Sequence, residues 1–189
     1  MNLITILFLI IKNRKELFYE KQQLLCRILI LFCGGNVTGI QPFYKRFLKN
    51  LFSKNPGAVV YGVINGFFGM TEPNHIFKIT SETVDSFDSF FNRLQTCREF
   101  NPSEHFNEIM STIDSFGITA VLCAGGDGTL SECIEGVMSC STRIPIGYIP
   151  VGSTNDFAKG LGVPKGIIPA AKWIVEGTPM PCDVGSCNK

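Results

Sequence analysis

The chain has 189 residues, enough for one ordinary domain and the start of a second. Hydrophobic residues make up 45% and charged residues 17%, so a sizeable core can be buried and long disordered stretches are disfavoured. With a formal net charge of +1, bulk electrostatics does not draw the chain to nucleic acid or acidic lipid, and any phosphate binding must come from a local site.

The first segment is an apolar run at residues 3–11. A helix of that length is too short to cross a bilayer, which takes roughly 20 residues, and the run lacks the flanking features of a signal peptide. Three interpretations stay open: an extra strand, a membrane-surface anchor or an added extension. We assign residues 1–26 to an N-terminal extension of undefined structure.

From residue 27 onwards, strand and helix patterns alternate. Continuous apolar runs predict buried strands at 27–33, 58–64, 119–124 and 144–149. Helical spacing and capping signals predict helices starting at Pro42, Asn101 and Thr129, and spanning 81–94, 157–161 and 167–175. This alternation requires crossover connections, so it predicts an α/β domain with a mostly parallel sheet.

The eight cysteines include no Cys-x-x-Cys pair, which disfavours a zinc site. Several lie inside apolar runs, so we expect reduced, buried thiols that pack as small hydrophobic residues. Reduced thiols are typical of a cytoplasmic location.

Two polar loops, residues 125–129 and 152–156, follow the carboxyl ends of predicted strands. Ligands of parallel sheets bind beyond these ends, so both loops are expected to face one crevice. In the first loop, glycines allow close approach to a ligand and positive φ, and the start of the next helix attracts phosphate. Asp127 would repel phosphate unless a cation bridges the two, which predicts Mg²⁺. The alternative is a simple glycine-rich turn.

Four motifs in chain order resemble the catalytic domain of diacylglycerol kinases and related bacterial lipid kinases. They lie within residues 119–188, at 123–130, 146–158, 161–164 and 182–185. The resemblance implies a three-layer sandwich of the phosphofructokinase, NAD kinase and diacylglycerol kinase type. It places the nucleotide-binding domain at residues 27–181 and the start of a truncated, β-rich second domain at 182–189.

Residues 27–118 are similar to the front of a phosphofructokinase. Gly34-Gly35 is similar to its opening glycine loop, and Arg98 lies where that family places a phosphate-contacting arginine. Two departures weaken this likeness. The glycine pair expected before the arginine loop is Phe91-Asn92, and Thr154 occupies the position of the proton-accepting aspartate.

Together the resemblances imply ATP-dependent phosphoryl transfer to a hydroxyl of a lipid such as diacylglycerol, with ATP and Mg²⁺ bound. A sugar-phosphate kinase and a truncated nucleotide-binding module without activity stay open as alternatives. Peripheral membrane contact and self-association also stay open, whereas nucleic acid is not an expected partner. Asp127 is the expected metal ligand, and no catalytic residue is assigned. The residues implied in nucleotide binding are Gly35, Arg98, Gly125, Gly126, Asp127, Gly128, Thr129, Thr154, Asn155 and Asp156.

Overall fold

The computed structural model describes residues 2–6, 27–32, 40–86, 104–140, 143–176 and 180–185. Its centre is a five-stranded sheet with strand order β4-β3-β2-β5-β6. The strands are β2 Arg27–Phe32, β3 Val59–Val63, β4 Ile76–Ile79, β5 Ala120–Gly125 and β6 Ile146–Pro150. All neighbouring strands are parallel except β4, which runs antiparallel to β3. The predicted α/β class with a mostly parallel sheet is confirmed.

Helices cover both faces of this sheet. They are α1 Ile40–Lys54, α2 Phe106–Ser115, α3 Asp127–Ser139, α4 Asp156–Gly160 and α5 Ile167–Glu176. The apolar stripe of α1 packs with residues of α5 against one face, and residues of α2, α3 and α4 pack against the other. Every residue of β5 is buried, which explains why its sequence is a continuous apolar run.

Helix starts are where the structure differs most from the sequence pattern. The capping-box pattern placed a start at Thr129, but α3 begins at Asp127 with Gly126 as its N-cap. The predicted start at Asn101 lies outside the described residues, and α2 begins at Phe106 after His105. In the predicted helix 81–94, the described part is a short 3₁₀ turn, Val84–Ser86. Gly117 ends α2 with φ of 58°, as expected for a helix terminus.

A second, two-stranded sheet joins the two ends of the described chain. β1, Asn2–Ile6, pairs antiparallel with β7, Met180–Val184. Of the three interpretations of the apolar N-terminal run, the strand is therefore the one that the structure shows for these residues. Residues 7–26 lie outside the described ranges. The domain boundary placed between residues 181 and 182 falls within β7, so that division stays a prediction.

The cysteines that the structure describes are free thiols. Cys123, Cys133 and Cys140 are buried, and Cys182 is partly exposed. Burial raises the pKa of the Cys140 thiol to about 11, helped by the charge of Asp114, so this thiol stays protonated at neutral pH. Among the described residues, no helix combines the length and the apolar character needed to cross a bilayer.

Candidate functional site

The two polar loops meet at the carboxyl edge of the sheet. β5 and β6 are parallel neighbours, and their register sets Gly125 opposite Pro150. The amides of Val151 and Gly152 both donate to the carbonyl oxygen of Gly125, at 3.0 and 3.3 Å. The second loop is thus fastened to the end of β5, just before the first loop begins.

The loops then touch backbone to backbone at Gly126 and Gly152. A Cβ added to Gly152 would lie 2.4 Å from the Cα of Gly126, closer than real Cβ contacts come. The expected positive φ is wrong for the first loop, because Gly126 has φ of −92° and no glycine from 125 to 128 takes a positive value. Glycine is needed at position 152 for close approach and not for backbone conformation.

Asp127 joins the loops through its side chain. Its Oδ2 accepts a hydrogen bond from the amide of Asp156 at 2.9 Å, and its Oδ1 accepts one from the amide of Phe157 at 3.1 Å. These are the first amides of α4, so Asp127 caps that helix across the crevice. The two amides, that of Asp156 above all, hold the pKa of the Asp127 carboxyl below its ordinary value.

Asn155 sets the turn that leads into α4. Its backbone is left-handed, with φ of 52° and ψ of 48°, a conformation that asparagine adopts more readily than most residues. Its side-chain Oδ1 accepts from the amide of Gly152 at 3.0 Å, and its Nδ2 donates to the carbonyl of the same glycine. The side chain therefore closes the second loop on itself and keeps Gly152 against the first loop.

Tyr148 supports both loops from beneath, a role that the sequence did not reveal. Its buried hydroxyl lies 3.2 Å from the carbonyl oxygen of Gly125 and 3.3 Å from Oδ1 of Asn155. Burial, followed by the nearby charge of Asp127, raises the pKa of the Tyr148 hydroxyl. The tyrosine therefore stays neutral and can donate one hydrogen bond to this junction.

Replacing Tyr148 with phenylalanine is expected to lower the free energy of unfolding by about 1 kcal/mol at pH 7, the usual contribution of one hydrogen bond. Because the fold raises the pKa of the Tyr148 hydroxyl, its full contribution to the free energy of unfolding is present below pH of about 10. That contribution is lost as the pH rises further. Urea denaturation at pH 7 and above pH 10 measures both effects. A variant as stable as the parent at pH 7 would contradict the linking role.

The remaining residues of the expected site are distributed as follows. Thr129 packs in the first turn of α3, where a Cβ on Gly125 would meet its side chain at 2.5 Å. Thr154 is exposed beside Asn155. Asp156 forms an exposed ion pair with Lys159 at 2.8 Å. Gly35 and Arg98 lie outside the described residues, so their placement in the crevice stays a prediction.

The start of α3 is suited to a phosphate group. The helix emerges directly from buried β5. The first N–H groups of an α-helix lack acceptors within the helix itself. A Cβ added to Gly128 would meet nothing within 4 Å, so space is open beside these amides. The amides and the helix dipole together favour an anion there.

A cavity of about 740 Å³ opens along α3 and reaches the capped start of α4. Its polar lining includes Asp127, Ser131, Glu135 and Asp156. Its apolar lining comes from Leu130, Ile134, Met138, Phe157 and Val184. The apolar residues Leu130, Ile134 and Met138 of α3 were not anticipated as part of the site. An apolar stripe on a helix ordinarily indicates core packing.

The carboxylates of Asp127 and Asp156 are the candidate metal ligands in this cavity. In the described part of the chain, no group of three or more His, Cys, Asp or Glu side chains is placed to hold a metal ion. A pair of carboxylates fits Mg²⁺, which commonly takes one or two carboxylates together with phosphate oxygens and water. Asp127 Oδ2 accepts the amide of Asp156 and Oδ1 that of Phe157, and a carboxylate oxygen has a further lone pair that can face a cation.

The comparisons with known proteins point to one family. The family model of the diacylglycerol kinase catalytic domain matches residues 75–187. A diacylglycerol kinase of Bacillus subtilis is 44% identical over 69 residues, which are 36% of this chain and 23% of that protein. A protein named probable lipid kinase YegS-like, from Chromohalobacter salexigens, is 43% identical over 72 residues, 37% of this chain and 23% of that protein.

A solved structure extends the likeness to the fold. Pichia pastoris phosphofructokinase in the T-state superposes with a TM-score of 0.53 at 18% identity, over 75% of this chain and 17% of that one. At this identity the likeness concerns the fold alone. The chain covers less than a quarter of the length of the two relatives with similar sequences.

Proposed function

Because the chain belongs to the diacylglycerol kinase catalytic domain family, we propose that it binds Mg-ATP at the first loop and phosphorylates the hydroxyl of a lipid such as diacylglycerol. The observation that carries the proposal is the start of α3, where the open space beside Gly128 adjoins the carboxylates of Asp127 and Asp156. This arrangement supplies an anion site and hard oxygen ligands within one crevice.

The reaction proposed is a single phosphoryl transfer. The acceptor oxygen forms a bond to the γ-phosphorus, the bond from that phosphorus to the β–γ bridging oxygen breaks, and ADP leaves. The amides of residues 126–129 would hold phosphate oxygens. Asp127 and Asp156 would hold Mg²⁺, which would supply positive charge to offset that of the phosphates. The hydroxyl proton passes to a base that we do not assign to a described residue.

The lining of the cavity favours an uncharged acceptor. Its carboxylates are Asp127, Glu135 and Asp156, and no lysine, arginine or histidine is among its lining residues in the described part of the chain. A sugar phosphate would bring negative charge beside these groups at a cost. An alcohol with an apolar body can place that body against Ile134, Met138 and Phe157.

A membrane lipid as acceptor has a consequence for location. We propose a cytoplasmic protein that contacts the membrane surface peripherally, because its acceptor would lie in the bilayer. The buried free thiols are consistent with a reducing compartment.

The experiment is a paired assay on the purified full chain. Calorimetry with ATP, with and without Mg²⁺, is expected to show metal-dependent binding. Labelled γ-phosphate is expected to appear on diacylglycerol in mixed micelles and not on fructose 6-phosphate. Labelling of the sugar phosphate alone would reverse the choice of acceptor. Metal-dependent binding without any transfer would leave a nucleotide-binding module, and the absence of binding would overturn the proposal.

A further inference from the structure

The cavity along α3 has one wall that comes from the far end of the chain. Two other walls are α3 and the start of α4, and Leu130, Val137 and Ala158 anchor these helices in the buried cluster on their face of the sheet. The remaining wall is Val184 and Gly185, at the end of β7. Whatever holds β7 in place therefore decides whether the cavity is closed on this side.

β7 has no anchor of its own in the core. No residue of β7 belongs to either of the two buried clusters that the described residues form. From Met180 to Gly185 every residue is exposed or half-buried. Burial of apolar side chains is the main force that fixes an element in a fold, so this strand needs a different attachment.

The attachment that the structure shows is β1. The two strands pair antiparallel along their whole length, and the register sets Asn2 opposite Val184, the residue that lines the cavity. β1 also lies close to β6, the edge strand of the main sheet. The N-terminal strand therefore links the wall of the cavity to the body of the fold.

The register also predicts where the bonds of this ladder lie. Thr5 pairs with Pro181, which has no N–H to donate, so this pair suits a position at which the strands exchange no hydrogen bonds. The two kinds of pair alternate along an antiparallel ladder. Bonds are therefore expected between Ile4 and Cys182, one residue further along, and a substitution at Ile4 can break them.

We infer that β1 is a positioning element of the acceptor cavity, and that its ladder with β7 holds Val184 and Gly185 as the wall that α3 and α4 leave open. The inference rests on the proposed function only for the identity of the ligand, an uncharged lipid alcohol. Loosening the ladder removes the wall and weakens binding of an apolar ligand. The start of α3 follows buried β5 and keeps its affinity for Mg-ATP.

The test combines hydrogen exchange with binding of Nile red, a neutral dye that fluoresces in apolar surroundings, to the full chain. Ile4→Pro removes a donor of the ladder, so exchange at the amides of Cys182 and Val184 should become at least about tenfold faster. Amides of β5 should keep the parent rate. Affinity for the dye should fall about tenfold, as expected when one valine side chain no longer covers the ligand. Affinity for Mg-ATP should not change.

The matched control is Ile4→Val, which keeps the N–H and a β-branched side chain at the same position. It should match the parent in exchange and in both affinities. Val184→Ser changes the wall without changing the backbone ladder, so it should lower dye affinity while β7 exchanges as in the parent.

Five outcomes would overturn the inference. They are parent exchange on β7 in Ile4→Pro, faster exchange on β5 as well, an equal fall in Mg-ATP affinity, parent dye affinity in Ile4→Pro or Val184→Ser, and a parent that does not bind the dye. The second and third would make β1 a general part of the fold. A parent that binds the dye but neither binds Mg-ATP nor phosphorylates diacylglycerol would count against the proposed function only.

Discussion

Replacing Gly152 with alanine is expected to lower the free energy of unfolding by about 2–3 kcal/mol, in the upper range of overpacking effects, and to abolish nucleotide binding. The added Cβ would lie 2.4 Å from the Cα and 3.1 Å from the nitrogen of Gly126, so it would meet backbone atoms of the first loop. Neither loop can yield by rotating a side chain. They must separate, which strains the bonds from Val151 and Gly152 to Gly125 and displaces the amides at the start of α3.

The control for Gly152→Ala is Gly136→Ala, inside α3. A Cβ at Gly136 would meet nothing within 4 Å outside its own helix. Alanine there should stabilise the protein by about 0.5–1 kcal/mol, because glycine weakens a helix interior. Urea denaturation should give changes of opposite sign for the two variants, and calorimetry with Mg-ATP should show loss of binding in Gly152→Ala alone. Parent-like stability and affinity in Gly152→Ala would show that close packing of the loops is dispensable.

The sheet was the most predictable part of this fold. β2 and β5 are buried runs without alternation, a pattern strong enough to place both to within a residue or two. β4 and β7 were not anticipated. β4 has four residues, and β7 pairs with β1 from the far end of the chain. Short strands whose partners are distant carry little local signal, because pairing and not propensity determines them.

The candidate site was predictable in composition and not in arrangement. The glycines and Asp127 could be found because a phosphate loop demands those residue types in sequence. The start of α3 was misplaced because the pattern at Thr129 satisfies a capping box, whereas the helix in fact begins where β5 ends. The bond from Asp127 to the amide of Asp156 spans 29 residues of chain and depends on the register of β5 and β6. No local pattern contains that register.

Replacing Asp127 with asparagine is expected to weaken Mg-ATP binding on the order of 100-fold, because the amide cannot supply a charged oxygen to the metal. Asparagine keeps one acceptor oxygen, so one of the two bonds to α4 can survive. Its amino group would face an N–H that now donates to the other carboxylate oxygen, and two donors cannot bond to each other. The sandwich should remain folded while α4 is less firmly capped.

The free energy of unfolding should depend on pH in a way that reports the same carboxylate, Asp127. The fold lowers the pKa of Asp127, so the stability that this group contributes is present above the ordinary aspartate value of about 4. It is lost as the pH falls through the lower value of the folded protein. Asp127→Asn should lack this part of the acid dependence. Glu72→Gln, at an exposed carboxylate away from the loops, should keep it.

Asp127 has two candidate roles, and one comparison separates them. If the residue binds metal, Asp127→Asn loses the increase in ATP affinity that Mg²⁺ gives and keeps the affinity measured in a chelator. If it only caps α4, affinities with and without Mg²⁺ fall by the same factor. Hydrogen exchange at the amides of Asp156 and Phe157 reports the cap directly, because Asp127 accepts both in the parent. Faster exchange together with an unchanged effect of Mg²⁺ on ATP affinity would show that Asp127 does not bind the metal. Its role would then be to hold the second loop against the first.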